Sequence, residues 1–560
     1  MQRSALLLSL SWLFLMFTVG SHAAVISPRV QLAQGEMIGI DDPNSQTWVW
    51  LGIPYAKAPI GAWRWQKPVP VAASSQSFQA THAGPICPQY KNDRYLGQED
   101  CLNLSIYRPA TQQSLPVLVY IHGGNNQSGK AEEFNPRALA KALNSVIVMV
   151  NYRLGALGFN PLAVLKSQDP IQASGNFGLL DQGAALDWVK ANIQAFGGQP
   201  DRITVSGFSA GGRDVMAMLI SPLFKGKFQQ AIVFSGGMTT AAVQPSQRVF
   251  LAAFAPLVVA DGRKPDLQSA MDWLQHGGPK VVDYLRRLTA DRIAALMRNA
   301  GIRMSVFPHL YRDGVVLPES GFNTDHYNAV PVIMLSGENE FSFFALSDPQ
   351  FADAYHHGLL LSNSMLLNEY QFVFHYGGKL YSLFNVQRSA QRMYPHYSAP
   401  IYATQIRLGT DPDVTGPKMA LLGSFHGIFL PLLDRALLEP MLPGVFQKPG
   451  VVDMSNHFQR YLAAFLHSGD PNVSGQTRWL SWTPEHQAQG ASILILDANQ
   501  RQAISYMSMK NYDMAMLIEQ IKNDHRLPEE TKMQLLHQVL NGRWFSDELD
   551  QAFQSPSLWP

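Results

Sequence analysis

Cysteine is nearly absent: the 560-residue chain has two, Cys87 and Cys101. Two thiols cannot form a four-ligand structural zinc site, and the histidines show no metal-ligand spacing, so no metal is expected. An imbalance of charge is missing as well. Lys and Arg number 43 against 42 Asp and Glu, which gives no electrostatic footprint for nucleic acid. Internal repeats and low-complexity tracts are absent, which excludes solenoid and linker-rich architectures. Charged residues make up only 15% of the chain and hydrophobic residues 46%, ample for a large core and incompatible with global disorder.

Long apolar runs are missing except at the start. Arg3 precedes Ala5 to Phe17, apolar apart from two serines, and Ser21-His22-Ala23 follows with small residues at the cleavage-setting positions. This reads as an export signal over residues 1–23, with an uncleaved anchor as the alternative. No cysteine stands there to carry a lipid. No other run approaches the roughly 18 residues of a membrane span, so no integral membrane segment is expected after signal removal. Export to a periplasmic or extracellular space makes an even pair of cysteines compatible with one disulfide. The alternative is two buried free thiols. A bridge would close a loop of about 15 residues, worth about 3 kcal/mol on the chain-entropy model.

What is present is an alternation of buried strands and helices. VLVYI, ending at Ile121, and Val146 to Val150 are short β-branched runs of the kind covered on both faces of a sheet. Leu179 to Ile193 has helical spacing and stops at Phe196-Gly197-Gly198. RITVS, ending at Ser206, reads as a strand, and Ala210 to Ile220 as a helix. Ile232 to Phe234 and Val332 to Leu335 add further strands. The expectation is an α/β fold with a mostly parallel sheet and helices on both faces. The Pro- and Gly-rich stretch Trp48 to Pro70 is expected as a structured loop. Thr239 to Asn328 is expected as a mainly helical insertion near the strand ends. A principal domain over 24–510 would then be followed by a C-terminal extension over 511–560, with two helical segments parting near Leu527-Pro528.

The chemistry centres on Gly207-Phe208-Ser209-Ala210-Gly211, a G-x-S-x-G motif. Alone it is weak, since a chain this long contains one by chance about 0.2 times. Its setting between a strand and a helix is what a nucleophile elbow requires. A serine nucleophile also needs a base, an acid to orient the base, and an oxyanion hole. On this fold the partners follow the serine in the order acid, then histidine. His122-Gly123-Gly124-Asn125, directly after VLVYI, is placed to supply hole N–H groups at Gly124 and Asn125, together with Ala210.

With these segments in view, the chain resembles the type-B carboxylesterases, the family that includes cholinesterases. GIPYAKAPIGAWRW, EDCLNLSIYRP, GNFGLLDQGAALDWVKANIQAFGGQPDRITV, GFSAGGRDVMAMLISP, GENEFSFF, SFHG and HSGDPN carry the resemblance. It implies an α/β-hydrolase fold, Glu340 as the triad acid, His426 as the base, and a disulfide between Cys87 and Cys101. Glu338 is the competing carboxylate. His122 belongs to the oxyanion loop in this pattern, and Phe341, Phe343 and Phe344 are expected in the core. The implied activity is hydrolysis of small-molecule carboxylic esters through an acyl-enzyme, with no cofactor. The alternatives are a cholinesterase-like binding or adhesion protein that has lost catalysis, and a lipase or amidase on the same scaffold.

Three departures from the pattern matter. Asn125 stands where the family has a third glycine, and Asn tolerates a positive φ better than other side-chain-bearing residues. Phe208 stands where a glutamate precedes the nucleophile, which points to an apolar substrate pocket and a preference for neutral esters, with simple packing under the elbow as the alternative. The short cysteine loop PQYKNDRYLGQED contains no Trp, so choline recognition is not expected.

Overall fold

The computed structural model describes residues 27–91, 93–296, 307–508, 513–543 and 545–555. The export signal read over residues 1–23 lies outside them. Two small sheets flank the main body. β1 (Arg29–Leu32), β2 (Gly35–Ile38) and β5 (Phe78–Gln79) form one, and β6 (Gln89–Lys91) with β7 (Arg94–Leu96) the other.

The main sheet has eleven strands among the described residues. They are β3 (Ile40–Asp42), β4 (Thr47–Pro54), β8 (Asn103–Pro109), β9 (Leu115–Ile121), β10 (Val146–Val150) and β11 (Gly198–Phe208), then β12 (Gln230–Phe234), β13 (Val332–Gly337), β14 (Ile401–Ile406), β15 (Ile493–Ala498) and β16 (Ala503–Ser508). Their order is 16-15-14-13-12-11-9-10-8-4-3. The strands from β15 through β10 run parallel, while β16 on one side and β8, β4 and β3 on the other are antiparallel margins. This is the α/β-hydrolase architecture. The uniformly apolar runs have a direct cause: β9, β10, β12 and β13 are buried at every position. Alternate side chains enter opposite core clusters, Val117, Val119 and Ile121 on one face, Leu118 and Tyr120 on the other.

Four sequence expectations need correction. Trp48 to Pro70 is not loop throughout, because its first part is β4, paired with β8. Gly52 takes a φ of +67° where the register slips between Trp50 and Ile53, and Pro54 closes the strand, so neither interrupts regular pairing. Among its described residues the C-terminal extension holds three helices rather than two, Met514–Lys522, Glu529–Gln538 and Asp547–Ala552; the break at Pro528 stands. Among the described residues one helix, Val243–Ala260, is apolar and long enough to cross a membrane by length and composition. It buries one face, including Phe250, Phe254 and Val258, against the body. Finally, Phe343 is 43% exposed and not in the core, while Phe341 is fully buried.

The insertion after β12 is helical as expected, with Val243–Ala260, Leu267–His276, Pro279–Arg287 and Ala290–Ala295. Cys87 and Cys101 are joined in a disulfide, and both are buried. The C-terminal extension docks on the helix Ser364–Ser382. Tyr376 Oη donates to Asp524 Oδ2 at 2.9 Å, and Phe545 stacks on Tyr381 with ring centroids 4.7 Å apart.

Candidate active site

The site is assembled at the carboxyl ends of the central strands, where an open parallel sheet leaves a crevice. β11 delivers Ser209 to the helix Ala210–Ile220 through a turn in which Ser209 itself has φ 55° and ψ −112°. Two glycines make this turn possible. A Cβ at Gly207 would stand 2.1 Å from the Gly211 carbonyl oxygen, and one at Gly211 would stand 2.2 Å from that of Ile121. The positive φ at Ser209 is the strain expected of an elbow that lifts a hydroxyl out of the sheet.

β13 ends at Gly337, and Glu340 follows three residues later, fully buried. Its Oε1 accepts from the Ser235 hydroxyl at 2.5 Å and from the Gly337 N–H at 2.6 Å. Its Oε2 lies 2.5 Å from His426 Nδ1. His426 Nε2 lies 2.8 Å from Ser209 Oγ. Hydroxyl, imidazole and carboxylate therefore form one hydrogen-bonded line. Such a line can take a proton from the hydroxyl and stabilise the resulting imidazolium. Glu338, the competing carboxylate, points elsewhere and pairs with Arg407 at 3.4 Å.

The imidazole is walled by aromatic rings. Phe208, Phe344 and Tyr381 lie 4.9, 5.0 and 5.5 Å from it, Tyr381 stacked nearly parallel. Phe208 is 8% exposed and also packs on Phe429. The loop after β9 crosses above the elbow: a Cβ on Gly123 would meet Ser209 Cβ at 3.2 Å. Gly124, Asn125 and Asn126 have successive φ values of 100°, 57° and 56°. The left-handed backbone that made Asn an acceptable third residue is thus present. His122 is buried, stacks on Tyr152 at 4.5 Å, and lies with Nδ1 2.8 Å from the Gly123 carbonyl; it faces the loop and not Ser209.

Several residues of this arrangement were not read from the sequence. Ser235, which holds Glu340, carried only the signal of following a strand, and its φ of 51° appears only in three dimensions. Tyr381 and Phe545 had no local signal. Arg213 and Asp214 did, as two charged residues in an otherwise apolar and small-residue helix, Ala210–Ile220.

Three buried groups around the loop set an acid sensitivity. Burial holds His122 down at about 4, and burial with the nearby Arg213 charge holds His309 at about 3. An unfolded histidine binds its proton near 6.5. The folded state therefore loses stability as pH falls from about 6.5 toward 4. Burial pushes the Asp214 carboxyl up to about 6, which works in the opposite sense: its charged form destabilises the fold as pH rises from about 4 to 6. The two histidines thus give a loss on acidification that Asp214 offsets in part. Asp214→Asn should steepen that loss and raise stability at pH 7 by up to about 3 kcal/mol. Its partner Gln182 can turn its amide, because Gln182 Oε1 has no hydrogen bond among the described residues. Urea unfolding from pH 4.5 to 7.5 measures both effects; an unchanged slope contradicts the assignment.

In sequence and in fold the chain is similar to known carboxylesterases. The carboxylesterase family model matches residues 26–371. The para-nitrobenzyl esterase of Bacillus subtilis (strain 168) is 35% identical over 311 residues, 53% of this chain and 60% of that one. Carboxylesterase 1E of Mus musculus is 32% identical over 394 residues, 63% of this chain and 67% of that one. The aligned chain thus spans about 60% of the length of the Bacillus relative. Among solved structures, a PNB esterase superposes with a TM-score of 0.63 at 25% identity, covering 86% of this chain and 97% of that one. A Geobacillus stearothermophilus carboxylesterase gives a TM-score of 0.66 at 25% identity, covering 86% and 98%. The matched family model extends over more than half the chain, and the protein belongs to the carboxylesterase family.

Proposed function

We propose that the protein is a serine carboxylesterase. Ser209 attacks the ester carbonyl while His426 takes its proton, and Glu340 orients the ring and stabilises the imidazolium. The N–H groups of Gly124, Asn125 and Ala210 receive the oxyanion. The alcohol leaves with the proton from His426, and water then hydrolyses the acyl-enzyme by the same route in reverse. The observation that carries this reading is the Ser209–His426–Glu340 line, with both contacts at hydrogen-bond distance. Because the line is complete, an inactive binding protein is disfavoured. The direct test is hydrolysis of p-nitrophenyl butyrate together with stoichiometric labelling of Ser209 by a fluorophosphonate. A folded protein that does neither overturns the reading. The pair of buried cysteines in a disulfide accords with an exported enzyme.

The substrate class follows from charge. Phe208 occupies the position of the family's glutamate, and its ring packs on His426. A carboxylate about 5 Å from a bound cation, at an effective dielectric near 20, would attract it by roughly 3 kcal/mol. Phe208 supplies none of this, and Arg213 places a buried positive charge one helical turn beyond Ser209. Neutral esters should therefore exceed trimethylammonium esters of the same shape by at least about tenfold in kcat/KM. The comparison is butyrylcholine with 3,3-dimethylbutyl butyrate, and equal rates or a preference for the cation contradict it.

A further inference from the structure

Two consecutive residues behind the nucleophile are paired, one for one, with two consecutive residues of the loop above it. Arg213, 2% exposed, donates its backbone N–H to the Ser209 carbonyl at 2.9 Å and Nη2 to Asn125 Oδ1 at 2.9 Å. Asp214 Oδ1 accepts from Asn126 Nδ2 at 2.8 Å, and its Oδ2 accepts from Gln182 Nε2 at 2.7 Å. Tyr152 Oη completes the set, donating to the His122 carbonyl at 3.0 Å and lying 2.9 Å from Asn126 Oδ1.

Arg213 is a buried guanidinium. Taking such a charge out of water is costly, and the usual compensation is a carboxylate. The carboxylate next in sequence, Asp214, has an amide donor on each oxygen. Arg213 directs Nη2 at a neutral amide oxygen in the loop that carries the hole N–H groups. Asn is suited to that place twice over: it adopts the φ of 57°, and it offers an acceptor without bringing a negative charge beside a developing oxyanion. A glycine there would remove the acceptor of the Arg213 Nη2 bond.

We propose that Arg213 is a positioning residue of the oxyanion hole, clamping Asn125 to the elbow helix so that the loop N–H groups and the Ala210 N–H stay aligned, with its guanidinium as a fixed positive charge beneath the oxyanion. The proposal rests on the reading of Ser209 as nucleophile. The clamp joins the two halves of the hole, which come from segments 88 residues apart. An aligned donor contributes when the carbonyl becomes tetrahedral and little before, so its loss belongs in kcat and not in KM.

The test uses the full-length protein with p-nitrophenyl butyrate and a trifluoromethyl ketone of matching acyl length, which adds Ser209 and places an oxyanion in the hole. Arg213→Met should lower kcat by roughly 10²-fold with KM within about threefold, and weaken the ketone by a similar factor. Arg213→Lys should recover part of both. Asn125→Gly, a change in a half-buried loop residue that leaves the core intact, should show the same pattern if Arg213→Met fails to fold. The double variant should be no worse than the worse single one. Additive losses, a rise in KM at unchanged kcat, or a folded Arg213→Met with more than about a third of the activity overturns the clamp. Ser209→Ala separates the two levels. Its inactivity beside an unaffected Arg213→Met defeats only this inference, whereas its retained activity defeats the proposed function.

Discussion

Ser209→Ala should lower kcat by about 10⁴- to 10⁶-fold while leaving the thermal unfolding midpoint close to that of the parent. The expected size follows from what the hydroxyl does. In the proposed mechanism its oxygen is the bond-forming atom, and its contact with His426 at 2.8 Å is the proton's route to the base. Without it, water must attack with only the hole and substrate binding as help, which leaves a residual advantage of roughly 10³–10⁴ over the uncatalysed reaction. The fold should tolerate the change. Alanine pays the same positive φ that serine already pays, and the turn is held by the glycine crossings and by the Ser209 N–H donating to the Phe234 carbonyl at 2.8 Å. Steady-state kinetics with a titrated active-site concentration measure the effect. A variant with more than about a tenth of the activity would show that another nucleophile acts.

Glu340→Gln should cost about 10⁴-fold in kcat despite being nearly isosteric. The hydrogen bonds dictate which way the amide sits. Oε1 receives both the Ser235 O–H and the Gly337 N–H, so only an oxygen can occupy that position. The glutamine NH2 is then forced into the place of Oε2 and turns its hydrogens toward His426 Nδ1. The imidazole must answer with a lone pair on Nδ1, which moves its proton to Nε2. Nε2 faces Ser209 and can no longer accept the hydroxyl proton. The loss is one of tautomer and not of shape. Adding Ser235→Ala to Glu340→Gln should not recover the rate, because the Gly337 N–H alone still requires an oxygen in that place. A glutamine variant within tenfold of the parent would remove Glu340 from the proposed triad.

The parts of the site that could be read from the chain were those written locally. Gly207, Ser209 and Gly211 are legible because a strand, a turn and a helix meet within a few residues, and the close backbone crossings exclude larger side chains. The parallel sheet was legible because strands buried on both faces leave uninterrupted apolar runs. Glu340 and His426 were not legible by spacing. They lie 86 residues apart, and His426 is 217 residues from Ser209, so only the resemblance to a family located them. Ser235 and Tyr381 escaped because their roles are tertiary contacts, invisible to periodicity. Phe343 was misplaced because an apolar residue beside a buried one was read as core, while the chain turns it outward. The strand inside Trp48 to Pro70 was missed because proline density was weighed as an average, although the prolines begin only at its last residue.

The aromatic wall behind His426 has a kinetic consequence for how the protein matures. The imidazole touches Phe208 and Phe344 directly and reaches Phe545 through Tyr381, so four distant stretches of chain converge on one ring. Contacts of such separation close late, after helices and nearby strand pairs have formed. During refolding, recovery of hydrolysis should therefore trail recovery of helical signal, with the docking of Phe545 among the final events. Turnover is then a clock for completed assembly: a chain can look folded by its secondary structure for some time before its base is held in line.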